Sequence, residues 1–347
     1  MTQLLKADQS SILAAAELLK QGQLVAFPTE TVYGLGANAL DAEAVLSIFA
    51  AKGRPADNPL IVHVARAEDL EPLCHVTPLA RKLMEAYWPG PLTMLLKKKP
   101  IVPMEVTAGL DTVAVRMPSH PVARALLEAC GVPVAAPSAN RSGKPSPTQA
   151  QHVFDDMEGR IPMILDGGSC RVGVESTVLD VTCEPPCILR PGGVTKEMLE
   201  TQLPAVIVAG SVLRPLEKGE KALSPGMRYQ HYAPQGQLTL VSGGDNKALP
   251  LMNRLYDEAV ERGESCCLMV FEEALSLAGE RRCQSLGEHR HPEQMAERLF
   301  DLLRQMDKLG VTRIYSQVVD PQGLGLAIMN RLGRAAAFHV IDAEEGA

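Results

Sequence analysis

Several short segments of this 347-residue chain place hydroxyl, amide or charged side chains beside prolines and glycines. They are PTETVYGLG (28–36), KGRPADNPL (52–60), VRMP (115–118), PSANRSGKPSPT (137–148), GVEST (173–177) and ILRPGG (188–193). Arginine can donate two parallel hydrogen bonds to carboxylate or phosphate oxygens, and lysine supplies a compact positive charge. Loops rich in hydroxyl and backbone N–H groups can bind anions. The segments therefore predict a site for a nucleotide or another polyanion.

The segment 52–60 carries the strongest indication of phosphate binding. Lys52 and Arg54 flank a glycine where a helix is expected to end, and Pro55 and Pro59 stiffen the stretch that carries Asn58. Cations also suit the negative end of a helix dipole, so helix capping is the plainer alternative. Two cations and an amide on one rigid stretch favour phosphate binding over capping alone.

Two fragments are similar to nucleotide-binding motifs but do not fit them. Residues 34–39 (GLGANA) match G-x-G-x-x-A, yet the next helix is expected only after Asp41 and polar residues precede the glycines. The GK pair at 143–144 lacks the first glycine of a phosphate loop, since Ser138 stands there, and Pro145 follows it. No nucleophile triad or metal-type spacing stands out, so positioning and charge neutralisation are the expected chemistry.

The elements that must position these residues alternate between apolar runs and helical patterns. The apolar runs read as strands are Leu24–Phe27, Leu60–Val64, Leu92–Leu96, Thr112–Val115, Val132–Ala136, Met163–Leu165 and Thr177–Leu179. Several follow one another without a helix, which predicts an α/β fold with a mixed sheet. Arg116, Ser138 and Arg190 come at strand ends, where α/β sheets usually bind ligands. His63 lies inside a run, and a buried structural histidine is its plainer interpretation.

The pattern predicts two domains joined by a long connection. Residues 209–236 are rich in proline and glycine and have no apolar period, as an interdomain linker does. Residues 1–208 would form the first domain. From 237 to 347 strands and helices alternate again, which predicts a smaller, mostly parallel, Rossmann-like α/β domain.

Composition narrows the class of protein. Lys and Arg number 34 and Asp and Glu 41, a net charge of −7, which argues against holding nucleic acid tightly by bulk charge. There is no apolar stretch of roughly 18 residues and no secretory pattern at the start, so we expect a cytoplasmic protein without membrane contact. Eight cysteines without a C-x-x-C pair are typical of reduced, mostly buried thiols.

Taken together, PTETVYGLG, KGRP..NPL, PSAN.SG..SPT and G.ESTV resemble the YrdC-like family of threonylcarbamoyl-AMP synthases, in family order over most of the first 200 residues. The segment SPGMRYQHYAP (224–234) and the appended domain look like the family's long form. The resemblance implies a twisted mixed sheet with helices. It also implies that L-threonine, bicarbonate and ATP are converted to threonylcarbamoyl-AMP and pyrophosphate, for threonylcarbamoyladenosine modification of tRNA beside the anticodon.

The resemblance also implies roles for single residues. Lys52 and Arg54 would be catalytic. ATP would be bound by Lys52, Arg54, Asn58, Ser138, Asn140, Arg190 and His231. L-Threonine would be bound by Thr31, His63, Arg116 and Ser176, with Arg116 pairing its carboxylate. Tyr229, His231 and Tyr232 would belong to a lid formed by the linker, whose plainer interpretation is a proline-rich spacer. Mg²⁺ is expected with ATP, with no ligand assigned.

The expected partners are the three small substrates, the downstream proteins that transfer the threonylcarbamoyl group to tRNA, and, weakly, tRNA itself. The main alternative is a non-catalytic module that binds double-stranded RNA or tRNA, with Lys97–Lys99 on a basic surface. A solvated strand end is the plainer interpretation of those lysines. A carbamoyl-transfer maturation enzyme with a similar domain is a further alternative, but its zinc-type C-x-x-C pairs are absent from this sequence.

Overall fold

The computed structural model describes residues 1–214 and 232–344. Tyr229 and His231 lie outside these described residues, as does most of the predicted linker. Contacts divide the chain into two compact units, the first comprising Met1–Ser142 and Ser146–Val212, the second containing Gly143–Pro145 and the residues from 232 onward. The sequence-based boundaries at 208 and 237 stay a prediction.

The first unit alternates strands with short helices. Its strands are β1 (Gln3–Lys6), β2 (Val25–Phe27), β3 (Gly34–Asn38), β4 (Ile61–His63), β5 (Leu92–Lys97), β6 (Thr112–Arg116), β7 (Val134–Ala135), β8 (Met163–Asp166), β9 (Thr177–Asp180), β10 (Cys187–Arg190) and β11 (Ile207–Val208). Its helices are α1 (Gln9–Lys20), α2 (Ala42–Lys52), α3 (Pro78–Tyr87), α4 (Met104–Thr107), α5 (Pro121–Cys130), α6 (Ala150–Met157) and α7 (Lys196–Glu200).

These strands pair into one sheet in the order β1-β8-β2-β3-β7-β4-β6-β5-β9-β10-β11. Parallel pairs such as β4 with β6 occur beside antiparallel pairs such as β5 with β6. The prediction of a mixed α/β sheet is therefore confirmed.

Both faces of this sheet are covered, as the short strand β2 illustrates. Successive residues of a strand point to opposite faces. Ala26 packs in the core cluster that includes Ile48 of α2, whereas Val25 and Phe27 pack in the cluster that includes Leu19 of α1. Burial on both sides makes the apolar runs continuous rather than alternating.

Lys52, the first cation of the 52–60 segment, is the last residue of helix α2. Asp41 caps its start, with Oδ1 accepting hydrogen bonds from the backbone N–H groups of Glu43 and Ala44 at 3.0 and 3.2 Å. Gly53 ends the helix in the left-handed region, at φ 67°, where a side chain would be strained. Lys52 is thereby the last helical residue.

The second unit is a smaller α/β domain. Its strands are β12 (Gln237–Ser242), β13 (Cys266–Val270), β14 (Cys283–Ser285), β15 (Arg313–Gln317) and β16 (Val340–Asp342), and its helices are α8 (Asp245–Glu261), α9 (Pro292–Lys308) and α10 (Gly325–Ala335). All four strand pairs, in the order β14-β13-β15-β12-β16, are parallel. The predicted parallel Rossmann-like architecture is confirmed.

Within residues 1–214 and 232–344, none of the helices has the length and apolar character needed to cross a membrane.

Candidate active site

Strand pairing in the first unit brings the distant sequence segments to one region. Strands β4 and β6 run parallel, and their register sets His63 opposite Arg116. A bridge joins Gly34 to Ser138, so PTETVYGLG borders PSAN. The backbone N–H of Thr177 donates to Pro91 O at 3.0 Å, which ties the GVEST segment to the start of β5.

The Arg116 cluster, defined as Glu30, Thr31, Gly90 and Arg116, is a buried set of polar groups. Arg116 Nη2 lies 2.7 Å from Glu30 Oε1, and the two side chains are only 4% and 10% exposed. Arg116 Nη1 donates to Thr31 Oγ1 at 3.0 Å and Nε donates to Gly90 O at 3.3 Å. The guanidinium is held on three sides by protein groups.

Glu30 carries a negative charge in this cluster. Burial acts to raise the pKa of its carboxyl group, but the adjacent Arg116 guanidinium outweighs burial, and the pKa lies below its ordinary value. The backbone N–H of Ser119 donates to Glu30 Oε2 at 3.1 Å. Glu30 and Arg116 therefore form a buried ion pair.

His63 is neutral in its buried position beside this cluster. Burial, and then the charge of Arg116, lower the pKa of His63 to about 3. Nδ1 lies 3.1 Å from Ile61 O, and because a carbonyl only accepts, Nδ1 carries the proton. These contacts fit a satisfied buried histidine, and the strand register places His63 next to Arg116, so its role in threonine binding stays a prediction.

Lys52 organises the loop that follows β7. Its side chain is buried, and Nζ donates to Ser138 O at 2.5 Å and to Asn140 O at 2.6 Å. Ser138 Oγ donates to Asn140 Oδ1 at 2.6 Å. The contacts bring three predicted nucleotide-binding residues together, with the cation at their centre.

Asn58 has hydrogen-bonding capacity that the described part of the chain does not meet. Its side chain is 0% exposed, and neither Oδ1 nor Nδ2 has a hydrogen-bond partner there. Leaving a buried polar group unsatisfied costs about 1–3 kcal/mol, so such a group needs an explanation. The amide belongs to the same segment as Lys52 and Arg54, and it could accept and donate hydrogen bonds to a ligand.

Arg54 lies over the Phe49 ring, with its guanidinium carbon 5.2 Å from the ring centre. Its Nη2 donates to Asn58 O at 3.5 Å. The half-buried guanidinium is therefore placed along the 52–60 segment rather than projecting into solvent.

Ser176 and Arg190, predicted for different substrates, contact each other directly. Arg190 donates from Nε and Nη2 to Ser176 O at 3.1 and 3.0 Å, and from Nη2 to Ser176 Oγ at 3.1 Å. Thr93 Oγ1 lies 2.8 Å from the same hydroxyl. The approach needs glycine at 192, because a Cβ there would lie 2.2 Å from Glu175 O.

The structure adds polar residues that the sequence reasoning did not assign. Glu30 pairs with Arg116, Thr93 contacts Ser176, and Ser146 Oγ donates to the buried Glu175 at 2.6 Å. Glu30 and Glu175 stand inside PTETVYGLG and GVEST, so acidic residues within those motifs were the available signal. Their partners lie far away in the chain and could not be read from local sequence.

The predicted lid residues and the lysine run are not part of the contacts described above. His231 lies outside the described residues, and Tyr232 packs within the second unit, its ring 5.1 Å from that of Phe300. The lysine run behaves as a strand end, since Lys97 pairs with Asp111 at 2.6 Å and Lys98 Nζ donates to Val102 O at 2.9 Å. Those contacts favour the plainer interpretation of the lysines over a nucleic-acid surface.

Family models match both units of the chain. Residues 17–192 match the Sua5/YciO/YrdC model, described as "Telomere recombination", and residues 194–337 match "Threonylcarbamoyl-AMP synthase, C-terminal domain".

Relatives match along nearly the whole length. The threonylcarbamoyl-AMP synthase of Pyrococcus abyssi is 47% identical over 342 residues, 97% of this chain and 97% of that protein. The Bacillus subtilis synthase is 45% identical, over 98% of this chain and 97% of its own. A crystal structure of P. abyssi Sua5 complexed with L-threonine has a TM-score of 0.92 at 45% identity, covering 99% of this chain and 98% of that one.

Proposed function

The chain belongs to the Sua5/YciO/YrdC family, and we propose that it is an L-threonylcarbamoyladenylate synthase, a nucleotidyltransferase acting on L-threonine, bicarbonate and ATP. The observation that carries this proposal is that residues 28–36 join a buried arginine cluster, through Thr31 and Arg116, to the loop organised by Lys52, through the hydrogen bond from Ala139 N to Tyr33 O. Full-length similarity to synthases in two distant organisms supports the same activity.

In this proposal Arg116 and Thr31 bind L-threonine. Arg116 pairs with the substrate carboxylate, and its Nη1 also donates to Thr31 Oγ1 at 3.0 Å. Neutral His63 and Ser176 border the polar side of the amino acid. Because His63 is neutral at physiological pH, it contacts the substrate by packing and hydrogen bonding. It places no positive charge next to the threonine amine, which must react.

ATP binds along the other side of the site. Lys52 and Arg54 neutralise the phosphates, and Asn58, Ser138, Asn140 and Arg190 complete the nucleotide contacts. The assignments of His231 to ATP and of Tyr229, His231 and Tyr232 to a lid belong to the same proposal, and Tyr229 and His231 lie outside the described residues. A lid has a chemical purpose here, because both a carbamate and its mixed anhydride with phosphate are destroyed by water.

The reaction needs no nucleophile from the protein. The threonine amine forms an N–C bond with the bicarbonate carbon, and the amine proton leaves with the bicarbonate hydroxyl as water, giving a carbamate. A carbamate oxygen attacks the α-phosphorus in line, and the bond to the β-phosphate oxygen breaks, releasing pyrophosphate. The protein supplies positioning and positive charge at the phosphates, through Lys52 and Arg54.

Magnesium is expected with ATP but has no protein cage among residues 1–214 and 232–344, where no group of three or more His, Cys, Asp or Glu side chains could hold a metal ion. Glu30, the acid of the Arg116 cluster, is engaged by Arg116 and Ser119. We therefore route no step through a metal; Mg²⁺ would be carried by the phosphate oxygens, as is common for nucleotides.

The product is consumed by the proteins that transfer the threonylcarbamoyl group to tRNA, in the cytoplasm. Weak tRNA contact belongs to the same proposal. A non-catalytic RNA-binding module gains no support from the engaged lysines at 97–99.

Mass spectrometry tests the proposed reaction. The purified chain is incubated with ATP, L-threonine and bicarbonate, and each is omitted in turn. We expect threonylcarbamoyl-AMP and pyrophosphate only in the complete mixture. Pyrophosphate release that does not depend on threonine and bicarbonate, or none at all alongside RNA binding, would overturn the proposal.

A further inference from the structure

Glu30 is the one carboxylate within ion-pair distance of Arg116 in residues 1–214 and 232–344. Its Oε1 lies 2.7 Å from Arg116 Nη2, with both side chains almost completely buried. None of the roles given above to threonine or ATP binding involves this residue. Its position next to the arginine raises the question of what it does there.

Glu30 is fixed from two directions. The backbone N–H of Ser119, just beyond β6, donates to Oε2 at 3.1 Å. The backbone O of Glu30 accepts from Val172 N at 2.8 Å. The loop that carries Thr31 is therefore attached both to the end of the Arg116 strand and to the segment before GVEST.

Some of the N–H donors of the Arg116 guanidinium are not used by protein acceptors in the described chain. Arginine has five N–H donors in a planar fork. Nε and Nη1 each donate one bond, to Gly90 and Thr31. Arg116 Nη2 and Glu30 Oε1 are in close charge contact, yet within the described chain neither atom makes an aligned hydrogen bond. Glu30 thus offsets the charge without using all of the donors.

We infer that Glu30 is a positioning residue for L-threonine: it fixes the plane of Arg116 so that the remaining N–H donors face the substrate carboxylate. The inference rests on the proposed function, since it concerns the same amino-acid site. Preorganised donors bind more tightly because no side-chain freedom is lost on binding. Without Glu30, a buried guanidinium would be left unpaired and would turn toward other acceptors.

A double-mutant cycle on threonine binding tests this inference. Isothermal titration with L-threonine and, separately, with ATP compares the wild type with E30Q, E30D, R116K and E30Q/R116K. We expect E30Q to weaken threonine binding at least tenfold, about 1.4 kcal/mol, and ATP binding less than about threefold. E30D, which keeps the charge, should recover part of the loss. In the R116K background E30Q should add less than about twofold, because Glu30 acts through the arginine.

A matched control removes a different carboxylate–arginine pair. Asp257 Oδ1 lies 2.8 Å from Arg281 Nε in the second unit, and D257N should change neither affinity. Equal threonine affinity in E30Q and wild type would overturn the inference. So would an equal loss of threonine and ATP binding in both E30Q and E30D, accompanied by a lower melting temperature. Failure of the wild type itself to bind threonine would instead count against the proposed function.

Discussion

The two sides of the candidate site are built in opposite ways. In the Arg116 cluster, each charged group has a protein partner, down to the 2.7 Å contact between Arg116 and Glu30. In the 52–60 segment, Asn58 is just as buried, yet its amide has no hydrogen-bond partner in the described chain. The first side is preorganised by the fold, whereas the second contains an amide whose hydrogen-bonding capacity the described part of the chain does not meet.

The Arg116–Glu30 pair and the Asn58 amide are equally buried, but we expect the first to contribute to stability and the second to ligand binding. A buried pair is costly to break, since removing one partner leaves an uncompensated charge. A buried amide without partners is costly to keep, because it has lost water and gained nothing in return. We therefore expect mutations on the first side to destabilise the unit, and mutations of Asn58 to impair binding without destabilising it.

The largest expected effect comes from breaking the ion pair. R116L should lower the free energy of unfolding of the first unit by about 3–5 kcal/mol, because Glu30 is left buried and unpaired. The chain has a single tryptophan, Trp88, in this unit, so its fluorescence in urea reports this unfolding.

The double variant E30L/R116L is the control, since replacing both charges by apolar groups should recover most of the lost stability. An R116L chain as stable as the wild type would contradict the idea that this side is held together by the pair.

The next largest effect is expected on turnover. Lys52 Nζ donates to the carbonyls of Ser138 and Asn140, so K52M should displace that loop and remove a phosphate-facing charge. Product formation should fall on the order of 10²–10³-fold, as when a preorganised donor is lost. Lys20 is exposed and pairs with Glu17, so K20M is the control and should keep normal turnover. Near-normal turnover in K52M would remove Lys52 from the site.

A smaller effect is expected from pH. Burial lowers the pKa of His63 to about 3, while in the unfolded chain it takes up a proton near its ordinary pKa of about 6.5. The stability contributed by neutral His63 is therefore complete above about pH 6.5. It should be lost by about 1.4 kcal/mol per pH unit as the pH falls toward 3.

Urea titrations of Trp88 fluorescence at a series of pH values measure this slope. H63Q should flatten it between about pH 6.5 and 4.5, above the range in which carboxylates such as Glu30 add their own dependence. His291 is exposed in the second unit, and H291Q should leave the slope unchanged. An unchanged slope in H63Q would show that His63 is not buried as a neutral group.

The smallest effect on stability, and the sharpest contrast, is expected at Asn58. N58L has a similar shape and removes the unsatisfied amide, so the free energy of unfolding should stay the same or rise by up to about 1 kcal/mol. ATP affinity should fall at least tenfold, about 1.4 kcal/mol. N38L is the matched control, because Asn38 Oδ1 accepts from Leu40 N at 3.0 Å; it should lose stability and keep ATP binding. A destabilised N58L would mean that the amide has a structural role.

Much of the framework could be predicted from the sequence because local signals were strong. Asp41 was expected before a helix and caps α2, and the apolar runs at 60–64, 92–96 and 112–115 became β4, β5 and β6 with no end shifted by more than one residue. Arg116 and Arg190 accordingly stand at the ends of β6 and β10.

Tertiary contacts account for what the sequence did not predict. Residues 34–38 were not among the predicted strands, yet they form strand β3. Glycine is needed at 36 because a Cβ there would lie 2.9 Å from both Phe27 and Val134. The role of Glu30 depends on a partner 86 positions away in the chain, and no local pattern encodes that pairing.

A crystal structure with L-threonine and a non-hydrolysable ATP analogue bound together would test the central contrast most directly. We predict the threonine carboxylate on Arg116, with Glu30 unmoved, and the nucleotide within hydrogen-bond distance of the Asn58 amide, close enough to threonine for transfer. Ligands lodged far apart, or an Asn58 side chain still without partners when ATP is bound, would contradict this account.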